Sequence, residues 1–223
     1  MVIALVALLG GLAATFAVCY PLGLLAHALE GGVDWPVFRY FEAHQHPGWW
    51  TDLNKGLTLM GNRPQIKVAC VVAAVLLAVL WRRRGWYIPP AVIAVTFVAE
   101  KYLQRALAVT VHRGHPPTSL GTYVSGGVAR LITVYGTILL LALLALPRVS
   151  RAWRAALWAA LGLAAVVEGY TRVYLLKHWL TDVIGGVVFG AMLLATIAAT
   201  TMAVVAARER SRAEPRDRAW TGG

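Results

Sequence analysis

The residues best suited to chemistry in this sequence are His178 and Asp182, which are four positions apart. On a helix, this spacing lets the carboxylate accept a hydrogen bond from one imidazole nitrogen and leaves the other nitrogen free. Thr171-Arg172 stand shortly before the pair and supply a guanidinium. A free imidazole nitrogen beside cations is suited to nucleophilic or acid–base chemistry on a phosphate group.

A second group of polar residues lies further towards the N-terminus. Lys101 and Arg105 are four positions apart and share a helix face. They are followed by a short segment that contains His112, Arg113 and His115. This group adds cations that could bind a phosphate and histidines that could donate a proton.

A third group is the run Ser125-Gly126-Gly127, with Arg130 one turn later. A Ser-Gly-Gly run that enters a helix offers free backbone N–H groups and the positive end of the helix dipole, both of which favour an anion. The sequence therefore predicts a phosphate-binding site built from three separate groups.

Each group also has a purely structural explanation. Single Lys and Arg residues near the ends of apolar segments often extend to the membrane interface, and small residues such as Ser and Gly permit close helix packing. His178 and Asp182 could be a satisfied pair, and Glu168 and Arg172 an ordinary ion pair one turn apart. The phosphate-site interpretation depends on the three groups lying on one face.

The composition defines the class of protein. Of the 223 residues, 59% are hydrophobic and only 14% are charged, which is too apolar for an ordinary soluble domain or a disordered chain. The net charge of +11 would suggest nucleic acid in a soluble protein, but in such an apolar chain Lys and Arg indicate topology, and no nucleic-acid partner is expected. Cys19 and Cys70 provide neither a disulfide framework nor a metal-ligand spacing, and no metal or cofactor is expected.

Six segments are long and apolar enough, or nearly so, to span a bilayer. We therefore predict an all-α polytopic membrane protein with six transmembrane helices in one domain (1–207), a short interfacial helix between Val33 and Trp50, and a basic, partly disordered tail (208–223). The predicted spans are Val2–Ala28, Leu57–Trp81, Tyr87–Ala108, Val124–Leu146, Ala152–Tyr170 and His178–Ala207.

Eleven arginines lie on one side of this six-span layout, in two loops and the tail. Basic loops are typically cytoplasmic. We therefore expect a multi-pass protein of the cell membrane with both termini in the cytoplasm and the three polar groups facing outside.

The three groups resemble the signature motifs of the type 2 phosphatidic acid phosphatase family, the membrane relatives of the vanadium haloperoxidases. The third motif of the family, Ser-Arg-x5-His-x3-Asp, corresponds to Thr171-Arg172, His178 and Asp182, with Thr in place of Ser. The resemblance covers roughly Lys101 to Gly186, and the six-helix layout extends it to most of the chain.

The other two motifs depart from the family pattern. The first motif, Lys-x6-Arg-Pro, matches Lys101, but Ala108 stands at the arginine position, and Arg113 is taken as its displaced equivalent. The second motif, Pro-Ser-Gly-His, is replaced by Val124-Ser125-Gly126-Gly127, so that the histidine of the family is absent.

The resemblance implies that His178 attacks phosphorus to form a phosphohistidine while Asp182 holds the imidazole. By this resemblance the phosphate would be bound by Lys101, Arg113 and Arg172, by Ser125 and by the N–H groups of Gly126 and Gly127. The neighbouring Arg105 and Arg130 are further candidate phosphate ligands. The missing histidine at Gly127 would have protonated the leaving group. Either His112 or His115 replaces it, or the substrate is a diphosphate whose leaving group needs little protonation, or hydrolysis is lost and only binding remains.

We therefore expect a membrane phosphatase or diphosphatase that acts on a lipid phosphate at the outer face, with a polyprenyl diphosphate as one candidate substrate. Two alternatives remain open from the sequence. One is a non-catalytic lipid-phosphate binder or transporter on the same scaffold, and the other is a phosphotransferase that uses a hydroxyl acceptor in place of water. The oligomeric state cannot be predicted.

Overall fold

Long helices form most of the chain. The computed structural model describes residues 2–46, 48–119 and 121–218, with side chains described as far as Ser211, and this part of the chain contains no β-strand. The helices are α1 (Val2–Ala28), α2 (Trp35–Ala43), α3 (Trp49–Leu57), α4 (Arg63–Leu80), α5 (Arg82–Gly85), α6 (Ile88–Val111), α7 (Gly126–Arg130), α8 (Gly136–Ala145), α9 (Arg151–Tyr174) and α10 (Leu180–Arg218).

Two π-helical turns interrupt this pattern. The turn Glu30–Asp34 leads into α2, and the turn Leu131–Tyr135 joins α7 and α8 into one continuous rod.

Five of the helical segments have the length and apolar composition to cross a membrane. They are Val2–Ala28, Arg63–Leu80, Gly126–Ala145, Arg151–Tyr174 and Leu180–Ser211. The remaining predicted span corresponds to α6, which has 24 residues but carries three charged side chains in its second half. The all-α polytopic class is confirmed, while the count of six spans stays a prediction.

The distribution of apolar side chains fits a bundle surrounded by lipid. Valines of α4 such as Val68 and Val75 are more than half exposed, which would be unfavourable in water but is the normal state of a helix face in contact with hydrocarbon. Behind these faces, Leu107 of α6 and Phe189 and Leu193 of α10 are completely buried between α1, α6 and α10.

The predicted boundaries differ from the observed ones at three places. The second span begins at Arg63 instead of Leu57, because Asn62 is extended and Pro64 opens a new helix, so that residues 49–57 form the separate helix α3. The fifth span continues to Tyr174.

The third difference concerns the tail. Helix α10 continues to Arg218, because Ala, Arg and Glu favour helix in this segment. The predicted disorder of the tail stays a prediction, and residues 219–223 lie outside the described part of the chain.

Candidate functional site

The predicted site residues of the second half of the chain gather at one end of the bundle. Helices α6 and α9 end there, and α4, α7 and α10 begin there. Two adjacent groups of buried polar side chains can be distinguished. We call them the histidine cluster, centred on His178, and the arginine cluster, centred on Arg172.

The turn between α9 and α10 positions His178. The backbone N–H groups of Lys177 and His178 both donate to the carbonyl of Arg172, at 2.9 and 3.3 Å, and Leu176, directly before Lys177, is left-handed, with φ 55°. This turn closes α9 and brings His178 to the start of α10. The imidazole is nearly buried, with 11% of its side chain exposed.

Asp182 faces His178 as the sequence predicts. The distance from His178 Nδ1 to Asp182 Oδ2 is 3.5 Å, slightly longer than a hydrogen bond, and Nδ1 has no other partner among the described residues. The backbone N–H of Trp179 donates to the same carboxylate oxygen at 3.3 Å. A movement of a few tenths of an ångström would complete the imidazole–carboxylate bond, as is common for catalytic pairs without substrate.

Arg113 holds the other oxygen of Asp182. It follows His112, whose left-handed backbone (φ 48°) ends α6 and turns the chain inward. Its Nη1 donates to Asp182 Oδ1 at 2.9 Å and to the Thr181 hydroxyl at 2.6 Å, and its Nη2 donates to Asp34. The side chain is completely shielded from solvent. Arg113 thus binds the carboxylates of Asp182 and Asp34, and these contacts do not fit the predicted role as a phosphate ligand.

Asp34 connects the segment between α1 and α2 to the histidine cluster. Its carboxylate accepts hydrogen bonds from the backbone N–H of Thr181 at 3.0 Å and from the Thr181 hydroxyl at 2.7 Å, in addition to the contact with Arg113. The segment predicted to lie along the membrane surface therefore contributes a buried acid, while the short helix expected there is present as α2.

The arginine cluster is built around an ion pair on α9. Arg172 Nε donates to Glu168 Oε1 at 2.7 Å, and its Nη2 donates to the Asn62 side chain at 2.7 Å and to the carbonyl of Thr58 at 3.1 Å. Its Nη1 has no acceptor among the described residues and remains available. The i,i+4 ion pair considered from the sequence is present, but it is buried.

Gly127 lies directly against this ion pair. A Cβ atom at position 127 would be 2.5 Å from Glu168 Oε1 and 2.6 Å from Arg172 Nε. Real side chains do not approach so closely, so any residue larger than glycine would push the pair apart. The histidine that the family resemblance leads one to expect here would have to displace the ends of Glu168 and Arg172.

Arg130 belongs to the same cluster, one turn after Gly127. Its Nε donates to the carbonyl of Gly61 at 3.0 Å, and its Nη1 lies 3.4 Å from Glu100 Oε1. Arg130 is therefore also paired with an acid.

Ser125 is the residue where the two clusters meet. It is completely buried, and its backbone N–H donates to the carbonyl of Asp182 at 2.9 Å. Its hydroxyl has no partner among the described residues, so it is a free donor inside the site. Gly126 next to it packs against Gln104 of α6.

Four predicted site residues lie elsewhere. The inward face of α6 is formed by Glu100, Gln104 and Leu107, so Lys101 and Arg105 are turned outward one position later and are exposed. The structure therefore does not bring Lys101 and Arg105 to the two clusters, because the neighbouring Glu100 occupies the inward face of α6. His112 and His115 are also exposed, and His115 Nδ1 faces the carbonyl of Pro116 at 2.9 Å.

Lys177 is the cation that the structure adds to the site. It is half-buried between the two clusters and forms no ion pair with a described carboxylate. Burial, and secondly the charge of Arg172, lower the pKa of Lys177, while Glu168 opposes this shift. Lys177 therefore adds positive charge near Glu168 and Arg172 without forming an ion pair with a described carboxylate, unlike the three buried arginines.

Sequence reasoning missed most of the acids of the site. Asp34 lies 79 positions from its partner Arg113, and no local pattern indicates that contact. Glu100 and Glu168 carry a usable signal, since an acid at membrane depth needs a cationic partner. Asn62 and Thr181 have no such signal, because polar uncharged residues are common at helix ends.

The architecture and the position of the buried polar clusters define a class of fold, the helical membrane bundle of PAP2-type phosphatases. The particular likeness is to the crystal structure of a transmembrane PAP2-type phosphatidylglycerolphosphate phosphatase from Bacillus subtilis, with a TM-score of 0.72. The two sequences are 22% identical, and the match covers 83% of this chain and 93% of the other. No family model and no curated protein sequence matches this chain.

Proposed function

We propose that this protein is a membrane phosphatase that hydrolyses a lipid phosphate with His178 as the nucleophile. The observation that carries the proposal is the arrangement of His178, Asp182 and Arg113 at the start of α10. Arg113 binds one oxygen of Asp182 and leaves the other facing the imidazole. The likeness to a PAP2-type phosphatidylglycerolphosphate phosphatase supports the same reaction class.

In the proposed reaction, Asp182 accepts the hydrogen bond of the His178 Nδ1–H, so that Nε2 carries the free electron pair. Nε2 forms a bond to phosphorus, and the bond from phosphorus to the leaving oxygen breaks, with its electrons passing to that oxygen. Asp182 stabilises the positive imidazolium. Water then attacks the phosphohistidine, the N–P bond breaks, and inorganic phosphate is released.

The phosphate would be bound by groups that have free hydrogen-bond capacity. These are the Nη1 of Arg172, the Ser125 hydroxyl and the ammonium group of Lys177. Charged donors in a site shielded from water usually provide the largest part of the rate enhancement. Lys177 thus takes the phosphate-binding role that the family resemblance gives to Lys101.

The absence of a histidine at Gly127 bears on the substrate. An alkoxide leaving group needs a proton, whereas the phosphate leaving group of a diphosphate is much less basic. His112 and His115 are exposed and outside the clusters. We therefore propose that a polyprenyl diphosphate is a better substrate than phosphatidic acid, with a free lipid monophosphate as the product.

The test is phosphate release by the purified protein from polyprenyl diphosphate, phosphatidic acid and phosphatidylglycerolphosphate. His178→Ala should abolish release, while His44→Ala, which removes an exposed histidine at the end of α2, should not change it. Acid quenching should trap a phosphohistidine in the wild type and none in His178→Ala. Equal activity of His178→Ala and wild type would refute the proposal.

A second candidate function is lipid-phosphate binding without turnover. It is favoured by one observation, namely that Arg113, Arg130 and Arg172 are each already paired with a carboxylate. It predicts saturable binding of the lipid phosphate, no phosphate release and no trapped intermediate. Detection of the phosphohistidine would exclude it.

A further inference from the structure

A cavity of about 420 Å³ lies at the opposite end of the bundle from His178. Along α10 it is some 26 residues from Asp182, or about 40 Å at 1.5 Å per residue. The residues around it come from the end of α4, from α5, from the start of α6 and from the last turns of α10; they include Trp81, Arg84, Ile88, Met202, Arg208 and Glu209. We call it the basic cavity.

Two guanidinium groups line the basic cavity. Arg208 lies over the ring of Tyr87, 5.0 Å from its centroid, and its Nη1 donates to the Tyr87 hydroxyl. Its Nε is shielded from solvent and has no acceptor among the described residues. Arg84 uses Nη1 to donate to the carbonyl of Leu144 at 2.8 Å. Both guanidinium groups therefore have N–H donors that these contacts do not use. The buried Arg208 Nε–H without an acceptor lowers the stability of the folded protein unless a ligand supplies an acceptor.

An apolar groove of about 200 Å³ adjoins the basic cavity. Ile88 lines both, and Tyr87, which receives the hydrogen bond of Arg208, lies in the groove. From there the groove follows α6 and α10 towards the middle of the bundle, with walls that include Val92, Val95 and Ile197. A charged pocket that continues into a hydrocarbon-lined groove matches the shape of a phospholipid, with its headgroup in the first and an acyl chain in the second.

The charge at this end of the bundle supports an anionic ligand. The loops here contain the run Arg82-Arg83-Arg84, and Arg208 and Arg210 lie on the adjoining turns of α10. Glu209 is the acidic residue of the cavity wall, so the wall itself has a net positive charge. Basic residues close to a membrane surface attract anionic lipids.

We propose that the basic cavity and the apolar groove together bind an anionic phospholipid of the leaflet at the arginine-rich end of the bundle. Its phosphodiester lies between Arg84 and Arg208 and accepts the hydrogen bond of Arg208 Nε. One acyl chain occupies the groove beside Val95. This site is separate from the His178 site and does not depend on the proposed phosphatase function.

The test is lipid-dependent thermal stability of the full-length protein in detergent, titrated with phosphatidylglycerol, phosphatidylcholine or inorganic phosphate. A ligand that binds only the folded state raises the melting temperature in proportion to its affinity. Phosphatidylglycerol should raise the melting temperature of the wild type, and the other two should not. Arg208→Gln should weaken the apparent affinity about tenfold, in line with the loss of one charge-assisted hydrogen bond.

Three variants make the result specific. Arg151→Gln removes a charge from the exposed start of α9 at the same end of the bundle and should leave the affinity unchanged. Val95→Trp fills the groove from an exposed position and should weaken lipid binding. Arg84→Gln should have the same effect as Arg208→Gln and replaces it if that variant does not fold.

Two kinds of result would overturn the proposal. One is equal stabilisation by phosphatidylcholine or by inorganic phosphate, which would mean that the headgroup charge or the acyl chain is not recognised. The other is an affinity of Arg151→Gln as low as that of the cavity variants, which would indicate general attraction to the basic surface.

Discussion

The contact between Gly127 and the buried ion pair makes Gly127→Ala a sharp test of the site. The added methyl group would lie 2.5 Å from Glu168 Oε1 and 2.6 Å from Arg172 Nε, so the pair must move by most of an ångström. Forcing atoms into a packed interior costs about 1–3 kcal/mol. Displacing Arg172 also moves the Nη1 donor that we assign to the phosphate.

The matched control is Gly162→Ala in α9. A Cβ atom at position 162 meets nothing within 4 Å, so this variant keeps only the ordinary gain of about 0.5–1 kcal/mol for alanine over glycine in a helix. The difference between the two variants isolates the steric cost. We expect Gly127→Ala to be less stable than Gly162→Ala by about 1–3 kcal/mol in equilibrium unfolding in mixed micelles.

Activity provides an independent measurement. Loss of one charge-assisted hydrogen bond to the phosphate is worth about 1.5–3 kcal/mol, which corresponds to roughly a 10- to 100-fold decrease of kcat/KM for Gly127→Ala. Gly162→Ala should retain the wild-type value. If Gly127→Ala matches Gly162→Ala in both stability and kcat/KM, then the close contact with Glu168 and Arg172 is absent and the description of the arginine cluster is wrong.

Two further predictions concern the charges of the site. Because burial and Arg172 lower the pKa of Lys177, this lysine becomes neutral at a lower pH than an ordinary lysine, and KM of the wild type should rise at that lower pH. Lys177→Arg stays charged and should keep KM constant to higher pH. The same rise of KM with pH in both proteins would contradict a role of Lys177 in phosphate binding. Asp34→Asn should destabilise the protein by close to the lower end of about 3–5 kcal/mol, because Arg113 loses one of its buried partners while keeping Asp182. The control Asp52→Asn, which breaks the exposed pair with Lys55, should cost less than about 1 kcal/mol.

The fold class follows from composition because a bilayer leaves few alternatives to long apolar helices. The helix boundaries were less predictable where polar and apolar residues mix. The second span is predicted to begin at Leu57, yet Pro64 and the extended Asn62 separate α3 from α4. A hydropathy average does not reveal the end of one helix and the start of the next, because it is taken over the residues on both sides of that boundary.

The site shows the same contrast between local and distant contacts. The spacing of His178 and Asp182 predicted their juxtaposition, because His178 lies two residues before the helix that begins at Leu180 and Asp182 lies in its first turn. Lys101 lies outside the two clusters because Glu100, which pairs with Arg130 on another helix, faces inward from α6. The arginines of the site were easier to identify from the sequence than the acids that accept their hydrogen bonds. An acid such as Asp34 lies on a distant segment, Glu30–Asp34, and no local spacing connects it to Arg113.

The aromatic residues around Trp179 connect the segment between α1 and α2 to the residues at the start of α10. Trp35 and Phe38 pack on Trp179 with ring centroids 5.3 and 5.7 Å away, and Trp179 directly follows His178. Asp34 immediately precedes Trp35 and binds Thr181. The segment from Asp34 to Phe38 is therefore fastened to the start of α10 on both sides of Leu180, by ring packing on Trp179 and by a hydrogen bond to Thr181. A displacement of that segment would be transmitted directly to the backbone next to His178.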